Sequence, residues 1–155
     1  MTGSVDQRLN DLGITLPAPS APAANYIPYV VTGNLVFVSG QITMADGELK
    51  YLGKVGDDLN TDDGYQAARI CAINLLAQIK AACGGDLGRV KRVVKLGGFV
   101  NCTPDFTDQP KVINGASDLM GEVFGDIGKH ARFAVGAASL PLGIAVEIDG
   151  IFEID

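Results

Sequence analysis

The chain of 155 residues has no tryptophan, one histidine and three cysteines, and each scarcity removes a class of chemistry. His130, with Cys71, Cys83 and Cys102 scattered along the chain, offers no ligand cluster at the short spacings that hold zinc. A Ser-His-Asp triad would need His130 as its base, and no G-x-S-x-G element accompanies it. An odd number of cysteines without a framework pattern suits a reducing compartment. Basic residues are also few: 12 Lys and Arg stand against 18 Asp and Glu, a formal charge of −6. That balance disfavours nucleic acid, whose phosphates favour basic stripes, and anionic membrane surfaces alike. No apolar stretch approaches the ~20 residues that span a bilayer. Residues 1–13 carry Asp6, Arg8 and Asp11 and lack the hydrophobic region of a signal peptide. The expectation is a cytoplasmic domain without a metal, a nucleic-acid partner or a membrane partner.

What is present is apolar. The hydrophobic fraction of 47% excludes disorder, because such a chain can bury enough surface to offset its ordering entropy. A mean hydropathy of +0.23 is high for so small a domain and hints at surface covered by another subunit. Val5, Leu9 and Leu12 recur at helical spacing before Gly13, and a Pro/Ala/Ser stretch follows over 16–24. Residues 1–24 therefore read as an N-terminal helix with a Pro-rich connector, and 25–155 as the main domain. Two β-rich runs, 26–31 and 35–42, flank Thr32-Gly33-Asn34 as a hairpin. A turn at Asp46-Gly47 opens an irregular segment that runs to Asn60. Thr61 is the expected N-cap of a helix reaching about residue 82, ended by Gly84-Gly85. A strand over 90–100, a helix over 105–124 with Pro110 in its first turn, and strands over 131–137 and 144–154 complete the chain. The order β-β-α-β-α-β-β predicts an α+β fold, with two helices on one face of a mixed sheet.

The last two strands hold the candidate chemistry. Alternation places His130, Arg132, Ala134 and Gly136 on one face and Ala131, Phe133, Val135 and Ala137 on the other. In the final strand, Glu147 and Asp149 point away from Val146, Ile148 and Phe152. If the two strands pair antiparallel about Pro141, Arg132 lies near Asp149 and within diagonal reach of Glu147. Such charges are ordinarily a solvated face or a cross-strand pair. The functional alternative is an arginine fork that takes a carboxylate ligand, with Glu147 as its acid/base partner.

Three segments resemble the RidA/YjgF family of reactive-intermediate deaminases, also labelled endoribonuclease L-PSP. They are Pro28-Tyr29-Val30 with Ser39-Gly40-Gln41, Phe99-Val100-Asn101 with Val112-Ile113-Asn114, and Ala131-Arg132, Leu140-Pro141 and Val146-Glu147-Ile148. The resemblance implies a chorismate-mutase-like subunit, a homotrimer around a barrel of sheets, and sites in the three clefts between subunits. It implies that Arg132 grips a substrate carboxylate and that Glu147 places the water that hydrolyses an imine or enamine to a keto acid and ammonia. Tyr29, Ser39, Asn114 and Ala134 match further pocket positions. No cofactor is implied, because an imine is already electrophilic. Two features depart from the family pattern. Ala134 stands where the archetypes carry a cysteine, and the N-terminal segment and the 50–60 loop are additions that could reshape the cleft. The alternative is a small-acid-binding or regulatory trimer without turnover. A ribonuclease is disfavoured by the acidic charge and the lone histidine.

Overall fold

The computed structural model describes residues 4–19 and 25–155, so 1–3 and 20–24 of the N-terminal segment lie outside the described residues. The elements run α1 (Val5–Asp11), β1 (Tyr29–Thr32), β2 (Leu35–Gln41), β3 (Met44–Ala45), β4 (Glu48–Leu49) and α2 (Thr61–Ala82), then β5 (Val90–Asn101), α3 (Gln109–Phe124), β6 (Ala131–Ala137) and β7 (Val146–Ile154). β1 and β2 form the expected hairpin, closed through Gly33 at φ +59°. The Asp46-Gly47 turn joins two short strands, β3 and β4, where the sequence predicts only a turn. α2 is capped by Asn60 rather than Thr61. The Asn60 side chain accepts from the Asp63 N–H, and the Asp63 carboxylate accepts from the Asn60 N–H, so two otherwise orphaned donors are satisfied reciprocally. α3 starts at Gln109, four residues later than expected, because a turn closes first between the Phe106 N–H and the Thr103 carbonyl.

The main sheet has the order β1-β2-β7-β5-β6. Its pairs are antiparallel except β5 with β6, which are parallel and joined through α3. The expected antiparallel pairing of the last two strands is therefore wrong. β5 is 12 residues long and buried along most of its helix-facing side, so it takes the position between β7 and β6. A strand that returns through a helix runs parallel to its predecessor, and β6 accordingly lies at the sheet edge.

α2 and α3 cover one face, packing Leu75, Leu76, Ile113 and Leu119 against Leu96, Val100, Ile148 and Phe152, all fully buried. The helices approach closely at Gly115, where a Cβ would fall 2.0 Å from the Tyr65 carbonyl oxygen. Among the described residues, the opposite face carries no helix. There Val30, Phe37, Phe99 and Val135 stay between 38% and 47% exposed. Gly97 supplies room on that face, since a Cβ would stand 2.4 Å from an Asp149 carboxylate oxygen and 2.6 Å from the Phe133 ring. The Gly97-Gly98 pair thus marks close approaches within the chain, while the irregularities of β5 against β7 fall between 90 and 95.

Candidate functional site

Register decides which candidates meet. Arg132 pairs with Leu96, a core residue, so its side chain leaves β6 on the helix side. There Nη1 donates to Ser117 Oγ at 3.0 Å and Nη2 to the Pro110 carbonyl at 3.2 Å, both on α3. Asn114 and Ser117 stand three residues apart on that helix and so share the stripe facing β6. His130 completes the cluster. Its Nε2 lies 2.8 Å from Ser117 Oγ, and its Nδ1 lies 2.7 Å from the Gly128 carbonyl. These four residues, with Gly121, Gly128 and Lys129, line an open hollow of about 330 Å³ between α3 and the start of β6. Ala134 faces the same side, opposite Gly98 and packed against the core.

Glu147 lies elsewhere. It pairs with Phe99 on the helix-free face, as its alternation against Val146 and Ile148 predicts. Arg132 and Glu147 therefore occupy opposite faces of the sheet, and the shared face expected for them does not form within one subunit. Phe133 and Val135 share the open face with the acids, so it is the apolar side of β6 that lies over no helix. Burial, then repulsion from Asp149, pushes the Glu147 carboxyl above the usual carboxylate range. Asp149 is raised too, chiefly by burial, against the Gly97 N–H and the Lys95 charge.

Ser39 and Gly40 form an irregularity in β2, where Val38 pairs with Gly150 but Gln41 with Ile148. Gly40 is needed there, because a Cβ would clash with the Glu147 carboxylate. Ser39 is held by its N–H to the Pro28 carbonyl and by its Oγ to the Ile27 carbonyl, each at 2.9 Å. Tyr29 pairs with the buried Val38 and packs against the core. The site residues thus fall into two groups: Arg132, Asn114 and Ala134 toward α3, and Glu147 and Ser39 toward the open face. Ser117 and Gly40 escaped the sequence reading. Ser117 was detectable as the residue one helical turn after Asn114. The role of Gly40 depends on a cross-strand contact that spacing does not reveal.

The 50–60 loop does not reach the arginine of its own subunit. Lys54 Nζ donates to Asn101 Oδ1 at 2.8 Å and to the Ala138 carbonyl, and Val55 is fully buried. These contacts fix the loop at the far end of β6, about 20 Å from Arg132 along an extended strand. Cys71, Cys83 and Cys102 are all buried, and Cys71 has its thiol pushed up by burial. No helix among the described residues is long and apolar enough to cross a membrane.

The architecture is that of an α+β fold with a mixed sheet backed by two helices, carrying a polar hollow at its edge strand. The model of the family described as "YjgF/chorismate mutase-like, putative endoribonuclease" matches residues 6–149, and the chain belongs to this RidA/YjgF family. Among curated proteins, it is 50% identical over 155 residues to Protein TCP17 of Trypanosoma cruzi, covering 99% of this chain and 96% of that one. Among solved structures, protein Atu1372 of Agrobacterium tumefaciens is 50% identical with a TM-score of 0.92, covering 97% of this chain and 92% of that one. A "putative endoribonuclease" from Shewanella oneidensis is 35% identical with a TM-score of 0.94, covering 98% of this chain and 100% of that one.

Proposed function

We propose that the protein is a homotrimeric deaminase that hydrolyses small imine or enamine carboxylates to keto acids and ammonia in clefts between subunits. The observation that carries this reading is the division of the site. Arg132 lies toward the helices at an edge strand, while Glu147 lies on the uncovered face. The two half-sites can meet only where two copies pack, and the apolar open face is the surface such packing would cover. On one side, the Arg132 fork is already held by Ser117 and Pro110, and its remaining N–H groups are suited to a substrate carboxylate. Asn114 adds an amide beside it, and Ala134 offers only backbone groups. On the other side, burial holds the Glu147 carboxyl above the usual carboxylate range, which suits a group that must both take and return a proton. Ser39 belongs to this second half, and Tyr29, packed against the core beside Val38, supports the hairpin that carries it. The electrophile is the substrate's own C=N carbon, so the reading requires no cofactor.

The test is to generate 2-aminoacrylate in situ and follow keto-acid release. Wild type should accelerate release over the uncatalysed rate. Arg132→Ala should lose about 10- to 100-fold, the equivalent of one charge-assisted contact. Ala134, which supplies no thiol, favours one second reading: a trimer that binds small acids without turnover. Saturable keto-acid binding that disappears in Arg132→Ala, with no acceleration by wild type, would establish that reading instead. Salt-dependent RNA binding would be needed to support a ribonuclease, against the net charge of −6.

A further inference from the structure

The hollow beside Arg132 contains a hydrogen-bond chain whose direction can be read atom by atom. A carbonyl only accepts, so the His130 nitrogen 2.7 Å from the Gly128 oxygen, Nδ1, carries a proton. In the neutral ring, Nε2 then has a lone pair and accepts the Ser117 hydroxyl proton across 2.8 Å. Ser117 Oγ in turn accepts from Arg132 Nη1 at 3.0 Å. The serine hydroxyl is thus aimed at a base, the base is oriented by a backbone carbonyl, and the oxygen touches the guanidinium that would hold a substrate carboxylate. This is the geometry of a hydroxyl–imidazole proton pathway opening into a cavity. No other imidazole exists in the chain.

We propose that Ser117 and His130 form the proton relay of the hydrolysis, with Ser117 touching the reacting carbon's substituents and His130 storing the proton behind it. The proposal rests on the deaminase reading and assigns it a part that neither Arg132 nor Glu147 supplies. Water adds to C2 of a 2-iminium carboxylate: the C–O bond forms, the C=N pair moves to nitrogen, and the water proton goes to Glu147 of a second copy. The resulting carbinolamine must then lose a hydroxyl proton and gain one on nitrogen, on two atoms borne by the same carbon. The hydroxyl proton passes to Ser117 Oγ as Ser117 passes its own to His130 Nε2. The C=O forms and the C–N bond breaks. Nitrogen takes the proton from Glu147 and leaves as ammonia, which collects the His130 proton as it departs as ammonium. Carboxylate and imidazole return to their starting states, and iminium plus water has become keto acid plus ammonium.

The charged groups around His130 are few. Arg132 is on its own strand, and Lys129 and Asp126 form a pair at 3.5 Å in the preceding turn. Arg92 of β5 donates to the Lys129 carbonyl. The neighbouring residues of α3 that carry acids are turned toward α2, with Asp118 accepting from Tyr65 and Glu122 from Arg69. The Ser117–His130 pair is therefore not already engaged by a carboxylate.

The experiment compares wild type with Ser117→Ala, His130→Gln and Arg132→Ala, each checked for wild-type mass and melting behaviour. Two readouts are taken for each: keto-acid release from in situ 2-aminoacrylate across pH, and pyruvate binding by calorimetry. The relay predicts that Ser117→Ala and His130→Gln bind pyruvate within about 3-fold of wild type yet lose about 100-fold in rate, the scale of general acid–base catalysis. Binding and rate that fall together in the Ser117 and His130 variants would reduce the pair to a prop for Arg132 and overturn the proposal. So would a wild-type rate in His130→Gln. If wild type binds pyruvate but accelerates nothing, the deaminase reading itself fails and the relay fails with it.

Discussion

The candidate site side chains are already held by the fold itself. Arg132 is fixed by a serine hydroxyl and a backbone carbonyl of α3, so its fork is oriented at the cavity with little rotamer freedom left to lose. Glu147 shows the cost of such placement. Its carboxyl is partly withdrawn from water and faces Asp149, so the folded protein holds its proton above the ordinary carboxylate range. The folded state therefore binds more protons than the unfolded chain, and stability declines as pH rises through that window. Glu147→Gln should remove this decline. The variant is expected to melt above wild type at pH 7, with the difference closing near pH 4, as measured by thermal denaturation across pH. Arg132, Glu147 and Asn114 were readable from residue type and motif. The place of Ser117 one helical turn after Asn114 is visible in the sequence, but its contact with His130, which comes from another element, is not.

Elements were legible where a pattern is local. The periodicity of α2 and α3 and the alternation of β7 follow from side chains that must face one core, and each appears where the sequence predicts it to within a few residues. Caps shifted by one residue, from Thr61 to Asn60, because Asn60 can bond reciprocally with Asp63. The contact between α2 and α3 is set by Gly115, whose missing side chain lets the helices meet at the Tyr65 carbonyl. Gly115→Ala should destabilise the protein by about 1–3 kcal/mol through overpacking, despite alanine's better helix propensity, as read from the denaturant midpoint. At the N-terminus, α1 buries Leu9, and Arg8 donates to the Val123 carbonyl at the end of α3.

For the whole molecule, the open sheet face is the consequential feature. Val30, Phe37, Phe99 and Val135 form an apolar surface around Glu147 and Asp149, on a subunit of 16.1 kDa. Under the trimer reading, this face lies inside the assembly. Val135→Glu should then place a charge in the interface, shift the particle from three chains toward one by light scattering, and abolish turnover although Val135 is on neither proton path. A variant that stays trimeric and active would remove the open face from the interface. The hydrophobic excess visible in the composition thus acquires an address on one side of the sheet.

Taken by itself, the sequence determined the long helices, most of the strands and the alternation within each strand. These depend on neighbours one to four positions away. Tertiary structure alone decided that β5 lies between β6 and β7, and this single choice moved Arg132 and Glu147 to opposite faces. Strand order is set by which long-range pairing buries the most apolar surface, and alternation within a strand carries no information about its neighbour. The same long-range packing brought Ser117 within 2.8 Å of His130 Nε2, the contact on which the proposed relay rests.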